Sequence, residues 1–179
     1  MPQPDPAIRP RPGAHLQYAA LCWRLKAGRV EVLLITSRET GRWLIPRGWP
    51  MAGHSPPETA RIEAWEEAGV CGTAGSDCIG VYSYAKGRAP ESLRLCQVQV
   101  YPLAVSRLAK TFPEQHQRRR KWFTPRKAAR KVANEGLAAL LDRFDPFASP
   151  LERATPLETA PPEGHFRISP GTESAHDPL

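Results

Sequence analysis

The chain has 179 residues, 41% of them apolar, with a formal net charge of +7; that suits one domain with a single core and leaves no run near the roughly 20 apolar residues a membrane-spanning helix needs. Cys22, Cys71, Cys78 and Cys96 show no CxxC spacing, so a thiolate metal site is not expected and free thiols in a reducing compartment are. Residues 145–179 carry six acids and two bases, residues 1–12 two arginines and one aspartate, so the segment between them holds a net +10, a balance that points to an anionic partner.

Residues 1–12 include five prolines. They predict a disordered segment with no apolar signal core, and hence a cytoplasmic location. Residues 17–24 and 30–37 read as two strands joined by the turn Lys26-Ala27-Gly28-Arg29, the second apolar enough to be central. A short strand at 43–45 follows. It enters a tight loop in which Gly48 lets the backbone approach a ligand or cation without a Cβ in the way.

The next segment carries the chemistry. Ser55-Pro56-Pro57-Glu58 has the form of a capping box with proline at the first helical position. Gly69 supplies the left-handed residue that stops the helix. Ala60, Ala64 and Ala68 recur every fourth position and form a smooth stripe for packing on a sheet, with Trp65 beside it. Glu63, Glu66 and Glu67 share one face, because spacings of three and four are neighbours on a helix. Three carboxylates so close repel, and a hard divalent cation removes that penalty; Mg²⁺ or Mn²⁺ suits oxygen ligands. The bland alternative is a solvated acidic face.

Downstream, residues 79–84 read as a strand, 86–90 as a hairpin loop, and 93–105 as a long returning strand. Residues 107–117 form a polar loop, and Trp122-Phe123 a last short strand. Thr124-Pro125 caps a basic helix to about residue 132. Asn134 caps another, with Leu137, Leu140, Leu141 and Phe144 buried. Trp43, Trp65, Trp122 and Phe123 are expected in the core. Residues 145–179 are proline-rich and read as a flexible tail. The element order alone gives α/β or α+β. None of His15, His116, His165 or His176 has a partner pattern for zinc.

From Gly48 through Glu63, Ala64, Glu66, Glu67, Gly69 and Val70 the chain resembles the Nudix hydrolases, whose signature these residues meet in register. Two positions depart: His54 and Ile62 stand where the family has a Glu and an Arg that pair. Losing both together orphans no charge, so this reads as a variant support for the loop, with His54 a surface or loop-bracing residue. The resemblance covers roughly residues 15–144. It implies an α/β/α sandwich with a mixed sheet between helices, spanning residues 13–144. It also implies a Mg²⁺ (or Mn²⁺) ion held by Glu63, Glu67 and the Gly48 carbonyl, and Glu66 as the group that deprotonates water, a role Glu63 or Glu67 could exchange with it. Glu114 is either a further metal ligand from outside the signature or a solvated loop residue.

The segments 32–38, Arg42-Trp43 and Arg118 to Phe123 are similar to one branch, the diphosphoinositol and diadenosine polyphosphate phosphohydrolases. That likeness implies a polyphosphorylated small-molecule substrate, with Arg38, Arg47, Arg94 and Arg118 as candidate phosphate contacts through guanidinium forks. The branch often has glycine where Arg47 stands, and basic residues near Gln17 and Tyr18. Cleavage of a nucleotide sugar or nucleoside triphosphate is the enzymatic alternative. A Nudix-like module that binds a metabolite or RNA is the non-catalytic one. RNA would call for stacking aromatics beside the charge, and the sequence offers no clear aromatic stripe, so a nucleic-acid partner is not expected. The oligomeric state stays open.

Overall fold

Alternation along two strands, His15–Lys26 (β1) and Arg29–Thr36 (β2), divides the molecule into layers. Successive strand residues point to opposite faces. Ala19, Leu21, Val32 and Leu34 are therefore buried in one layer, and Ala20, Cys22, Leu33 and Ile35 in the other. Both faces need cover, and helices provide it. The computed structural model describes residues 9–87 and 92–148.

The remaining elements, in chain order, are Trp43–Leu44 (β3), Arg47–Gly48 (β4), Pro56–Ala68 (α1), Val70–Ala74 (β5), Gly80–Lys86 (β6), Arg94–Leu108 (β7), Arg120–Phe123 (β8), Pro125–Ala129 (α2) and Glu135–Asp142 (α3). One mixed sheet has the order β3-β2-β1-β7-β5, with β4 on β1, β6 on β7 and β8 on β2. β1 runs parallel to β7, from His15 opposite Cys96 to Trp23 opposite Ala104. α1 covers one face through Ala60, Ala64 and Ala68, which meet Ala20, Cys22, Tyr101 and Leu103. α2 and α3 cover the other through Ala128, Leu137, Leu140 and Leu141. This is the expected α/β/α sandwich. Among the described residues no helix is long and apolar enough to cross a membrane.

The ends of α1 follow from its sequence. The Ser55 amide and hydroxyl donate to the Glu58 carboxylate at 2.8 and 2.7 Å. Gly69 ends the helix at φ 63°, its N–H donating to the Trp65 carbonyl at 2.8 Å. α3 starts as expected, with the Asn134 side chain accepting from the Leu137 amide at 2.8 Å.

Several expectations are corrected. The loop around Gly48 contains β4, which pairs Tyr18 with Gly48 and Ala19 with Arg47. β5 was not expected, because its glycine and small residues lack a strand signature. β7 runs on to Leu108 and bends with a register shift opposite Cys71 and Gly72. α2 stops at Ala129. Trp65 lies on the outer side of α1 and is 37% exposed, so it is not core. The N-terminal segment is held from residue 9: Gln97 accepts from the Arg11 amide at 2.7 Å and donates to the Arg9 carbonyl at 3.2 Å. At the other end Phe147 packs edge-on to Trp23, with ring centroids 5.9 Å apart. Residues 1–8 and 149–179 of the expected tails, and 88–90 of the expected hairpin loop, lie outside the described residues.

The alanine stripe sets how closely α1 approaches the sheet. Ala64→Leu should therefore overpack a fully buried position and cost about 1–3 kcal/mol, read as a lower urea midpoint. A loss under about 0.5 kcal/mol would show that the helix stands off with room to spare.

Candidate active site

The site lies where α1, β4 and the segment after β7 converge on the face of the sheet that α1 covers. The short β4 brings Gly48 against the helix. A Cβ added at Gly48 would sit 1.8 Å from a Glu63 carboxylate oxygen, so a larger residue here would push that carboxylate aside. One residue back, the Arg47 amide donates to Glu67 Oε2 at 3.0 Å.

Arg118 binds the other Glu67 oxygen, Oε1, through Nη2. Its Nε donates to Glu114 Oε2 at 2.5 Å, and its Nη1 to the Thr36 carbonyl at 3.1 Å. The Glu114 amide in turn donates to the Glu66 carbonyl at 3.0 Å, which fixes that segment to α1. Arg38 reaches Glu114 from outside at 3.1 Å and is largely exposed. Among the described residues the Glu66 carboxylate has no hydrogen-bond donor, which leaves it open to water.

This crowding shows in the acidities. Burial, and then the charges of Glu67, Glu66 and Glu114, push Glu63 up to about 7. Burial pushes Glu67 up to about 6, against the pull of Arg118 and the Arg47 amide. Among the described residues no three His, Cys, Asp or Glu side chains are already gathered for a metal ion; Glu67 and Glu114 are turned to Arg118. The donor set still fits a hard divalent cation. It is all oxygen, its own repulsion disfavours the charged form, and the bare Gly48 Cα leaves the approach to Glu63 clear.

The sequence candidates divide. Glu63, Glu66, Glu67, Gly48, Glu114, Arg118 and Arg38 are brought together. Arg47 and Arg94 are not. β4 pairing puts the Arg47 side chain on the same face as Ala19, where it stacks 4.3 Å over Tyr84 and donates to the Tyr82 hydroxyl at 3.1 Å. That is the face α2 and α3 cover, across the sheet from the carboxylates. Arg94 lines a recess of about 270 Å³ with Trp49, Lys86 and Cys96, and none of the four glutamates lines it. His54 is exposed, its amide closing a turn on the Met51 carbonyl at 3.2 Å.

One residue escaped sequence reasoning. Arg120 donates to the Ala68 carbonyl at 2.5 Å and the Ala109 carbonyl at 2.8 Å, and lies over Phe112. It places a cation at the C-terminal end of α1, which the helix dipole favours. Its presence in a basic run hid it; alternation along β8 is the signal that separates it.

The raised acidity constant of Glu63 has a definite sign. Below its ordinary value of 4.5 the group is protonated folded or unfolded and contributes nothing. As pH climbs to about 7 the unfolded chain sheds the proton first, so the folded state loses stability, and the full penalty stands above that. In EDTA, Glu63→Gln should therefore melt above wild type at pH 8 and level with it near pH 4. Mg²⁺ should raise the wild-type melting temperature and narrow the gap. A gap that is independent of pH would remove Glu63 from the charged cluster.

A family model described as NUDIX domain matches residues 15–144. Nudix hydrolase 21, chloroplastic, of Arabidopsis thaliana is 31% identical over 118 residues, covering 65% of this chain and 58% of that protein. Diphosphoinositol polyphosphate phosphohydrolase 3-beta of Homo sapiens is 31% identical over 107 residues, covering 59% and 61%. The chain thus spans about three fifths of the length of these curated relatives. The crystal structure of a C. elegans Ap4A hydrolase binary complex shares the fold, with a TM-score of 0.55 at 20% identity over 72% of this chain and 93% of that one. The matched segment starts with β1, contains the glutamate helix and extends past α3, and on that basis the chain belongs to the Nudix family.

Proposed function

We propose that the protein is a divalent-metal-dependent hydrolase, using Mg²⁺, that cleaves a pyrophosphate linkage in a polyphosphorylated small molecule. The observation that carries this reading is the packing of Glu63 against the Cα of Gly48 beside Glu66 and Glu67. A binding module has no use for that many mutually repelling carboxylates.

In this reading Glu63, Glu67 and the Gly48 carbonyl hold the ion. When bound, Mg²⁺ supplies neutralisation of phosphate oxygens and of the leaving group. The chain's own groups do the rest. Glu66, free of other donors, accepts the proton of the attacking water. Arg38, largely exposed beside Glu114, offers its guanidinium to the substrate's phosphates. Arg118, its side chain buried and bound to Glu67 and Glu114, positions those two carboxylates. The Arg47 and Arg94 side chains lie away from the carboxylates, and Arg47 acts there through its amide on Glu67.

For the substrate we favour a diadenosine polyphosphate or an inositol pyrophosphate. The arginine-rich surroundings and the names of the diphosphoinositol polyphosphate and Ap4A relatives support that choice. Four free cysteines support activity in a reducing cytoplasm.

The test is a panel of these substrates, nucleotide sugars and nucleoside triphosphates with Mg²⁺, the products resolved by ³¹P NMR. Glu66→Gln should lower kcat by roughly 10²–10⁴-fold, as loss of a general base does, while retaining Mn²⁺ binding. Glu67→Gln should lose Mn²⁺ affinity as well as turnover. Wild-type inactivity on the whole panel would overturn the hydrolase reading, and full activity of Glu66→Gln would reassign the base.

A further inference from the structure

One buried polar group has no use in the hydrolase reading. Thr59, the fourth residue of α1, is 0% exposed. Among the described residues its hydroxyl has no hydrogen-bond partner. A helical threonine can donate to the carbonyl four residues back. Here that carbonyl, of Ser55, accepts from the Thr59 amide at 2.9 Å and not from the hydroxyl. A buried hydroxyl without a partner destabilises the fold, and a valine of the same shape would not. Packing does not call for the oxygen either, since Ala60, Ala64 and Ala68 make the contact with the sheet.

The helix places this hydroxyl beside the carboxylates. Thr59 precedes Glu63 by four residues, Glu66 by seven and Glu67 by eight, so all four share one side of α1. Helical side chains lean toward the N-terminus, so the Glu63 side chain lies over the turn that carries Thr59. The other carboxylates of α1 are too far along or already engaged. Glu66 and Glu67 start one turn further on, and Glu67 is bound by the Arg47 amide and Arg118. Glu58 is bound by Ser55.

Glu63 is different. Its carboxylate rests against the Gly48 Cα and, among the described residues, accepts from no donor. A donor without an acceptor and an acceptor without a donor thus stand one turn apart on one face of α1. Rotation about the Glu63 side-chain bonds joins them. The bond is strongest when the carboxylate is charged. It holds one oxygen and leaves the other for a ligand, as hydrogen bonds behind metal-binding carboxylates do.

We propose that Thr59 is a positioning residue of the metal site: its hydroxyl donates to one oxygen of the ionised Glu63 carboxylate and leaves the other for the divalent ion. The inference rests on the reading of Glu63 and Glu67 as metal ligands. The test compares wild type, Thr59→Val, Thr59→Ser and Glu67→Gln as full chains. Mn²⁺ binding is followed at pH 8 by the electron paramagnetic resonance signal of the free ion, and melting temperatures are taken in EDTA. Thr59→Val should melt above wild type in EDTA, because it deletes an unpartnered buried hydroxyl. It should nevertheless bind Mn²⁺ roughly 10–100-fold more weakly. Thr59→Ser keeps the oxygen and should bind Mn²⁺ as wild type does. A purely structural hydroxyl would move the melting temperature alone. Unchanged Mn²⁺ affinity in Thr59→Val, with Glu67→Gln weakened, would overturn this inference and leave the metal site standing. Unchanged affinity in Glu67→Gln would overturn the metal site and this inference with it. A lower melting temperature for Thr59→Val in EDTA would overturn it by showing the hydroxyl already bonded. Thr59→Ser binding as weakly as Thr59→Val would do so by assigning the effect to lost packing.

Discussion

One buried guanidinium holds the candidate site in shape. Arg118 is only 8% exposed at its side chain, so its charge needs partners inside the protein, and it takes them from three segments. Glu67 comes from α1, Glu114 from the segment after β7, and the Thr36 carbonyl from the end of β2. Leaving a buried charge unpaired costs several kcal/mol, so none of the three can drift without exposing that cost. The rotation of α1 about its axis, which decides where Glu63 and Glu66 point, is set by this bridge on one side and the alanine stripe on the other.

Stability and chemistry pull apart within α1. The capping box, Gly69, Arg120 and the close alanine contact all stabilise the helix. Glu63 and Glu67 do the opposite: each is held where burial favours its neutral form. A carboxylate kept at about 7 by burial and its neighbours is a poor structural choice and a good ligand or base, because a cation that enters relieves repulsion already present. Gly48 belongs to the same trade. A larger residue would fill the gap and part β4 from Glu63.

The parts that were legible in the sequence are those governed by local rules. Ser55, Pro56, Glu58 and Gly69 bound α1 because caps act within one turn, and the glutamate spacing gave a shared face for the same reason. β4 escaped because a two-residue strand has no period to detect; only pairing with Tyr18 and Ala19 defines it. Trp65 was misplaced because an aromatic beside a packing stripe can fall on either side of it. The arginines show the limit most clearly. Arg47 and Gly48 are adjacent, the first expected to contact phosphate and the second to hold a metal ion. Pairing with β1 sends the Arg47 side chain to one face while Gly48 meets Glu63 on the other.

The same rule governs the basic run, where residue type carries almost no information and register carries nearly all of it. Arg118, Arg119, Arg120 and Lys121 are chemically similar, yet β8 deals them alternately to two surfaces. A slip of one residue against β2 would send Arg119 and Lys121 toward α1 and leave Glu67 without its partner. Register here is held by what surrounds it: the Thr36 hydroxyl accepts from the Arg119 amide at 2.9 Å, and Trp122 is clasped by Arg24 at 4.0 Å. Cations of one basic run thus reach both sides of the sheet, and on the α1 side they meet Glu67 and Glu114.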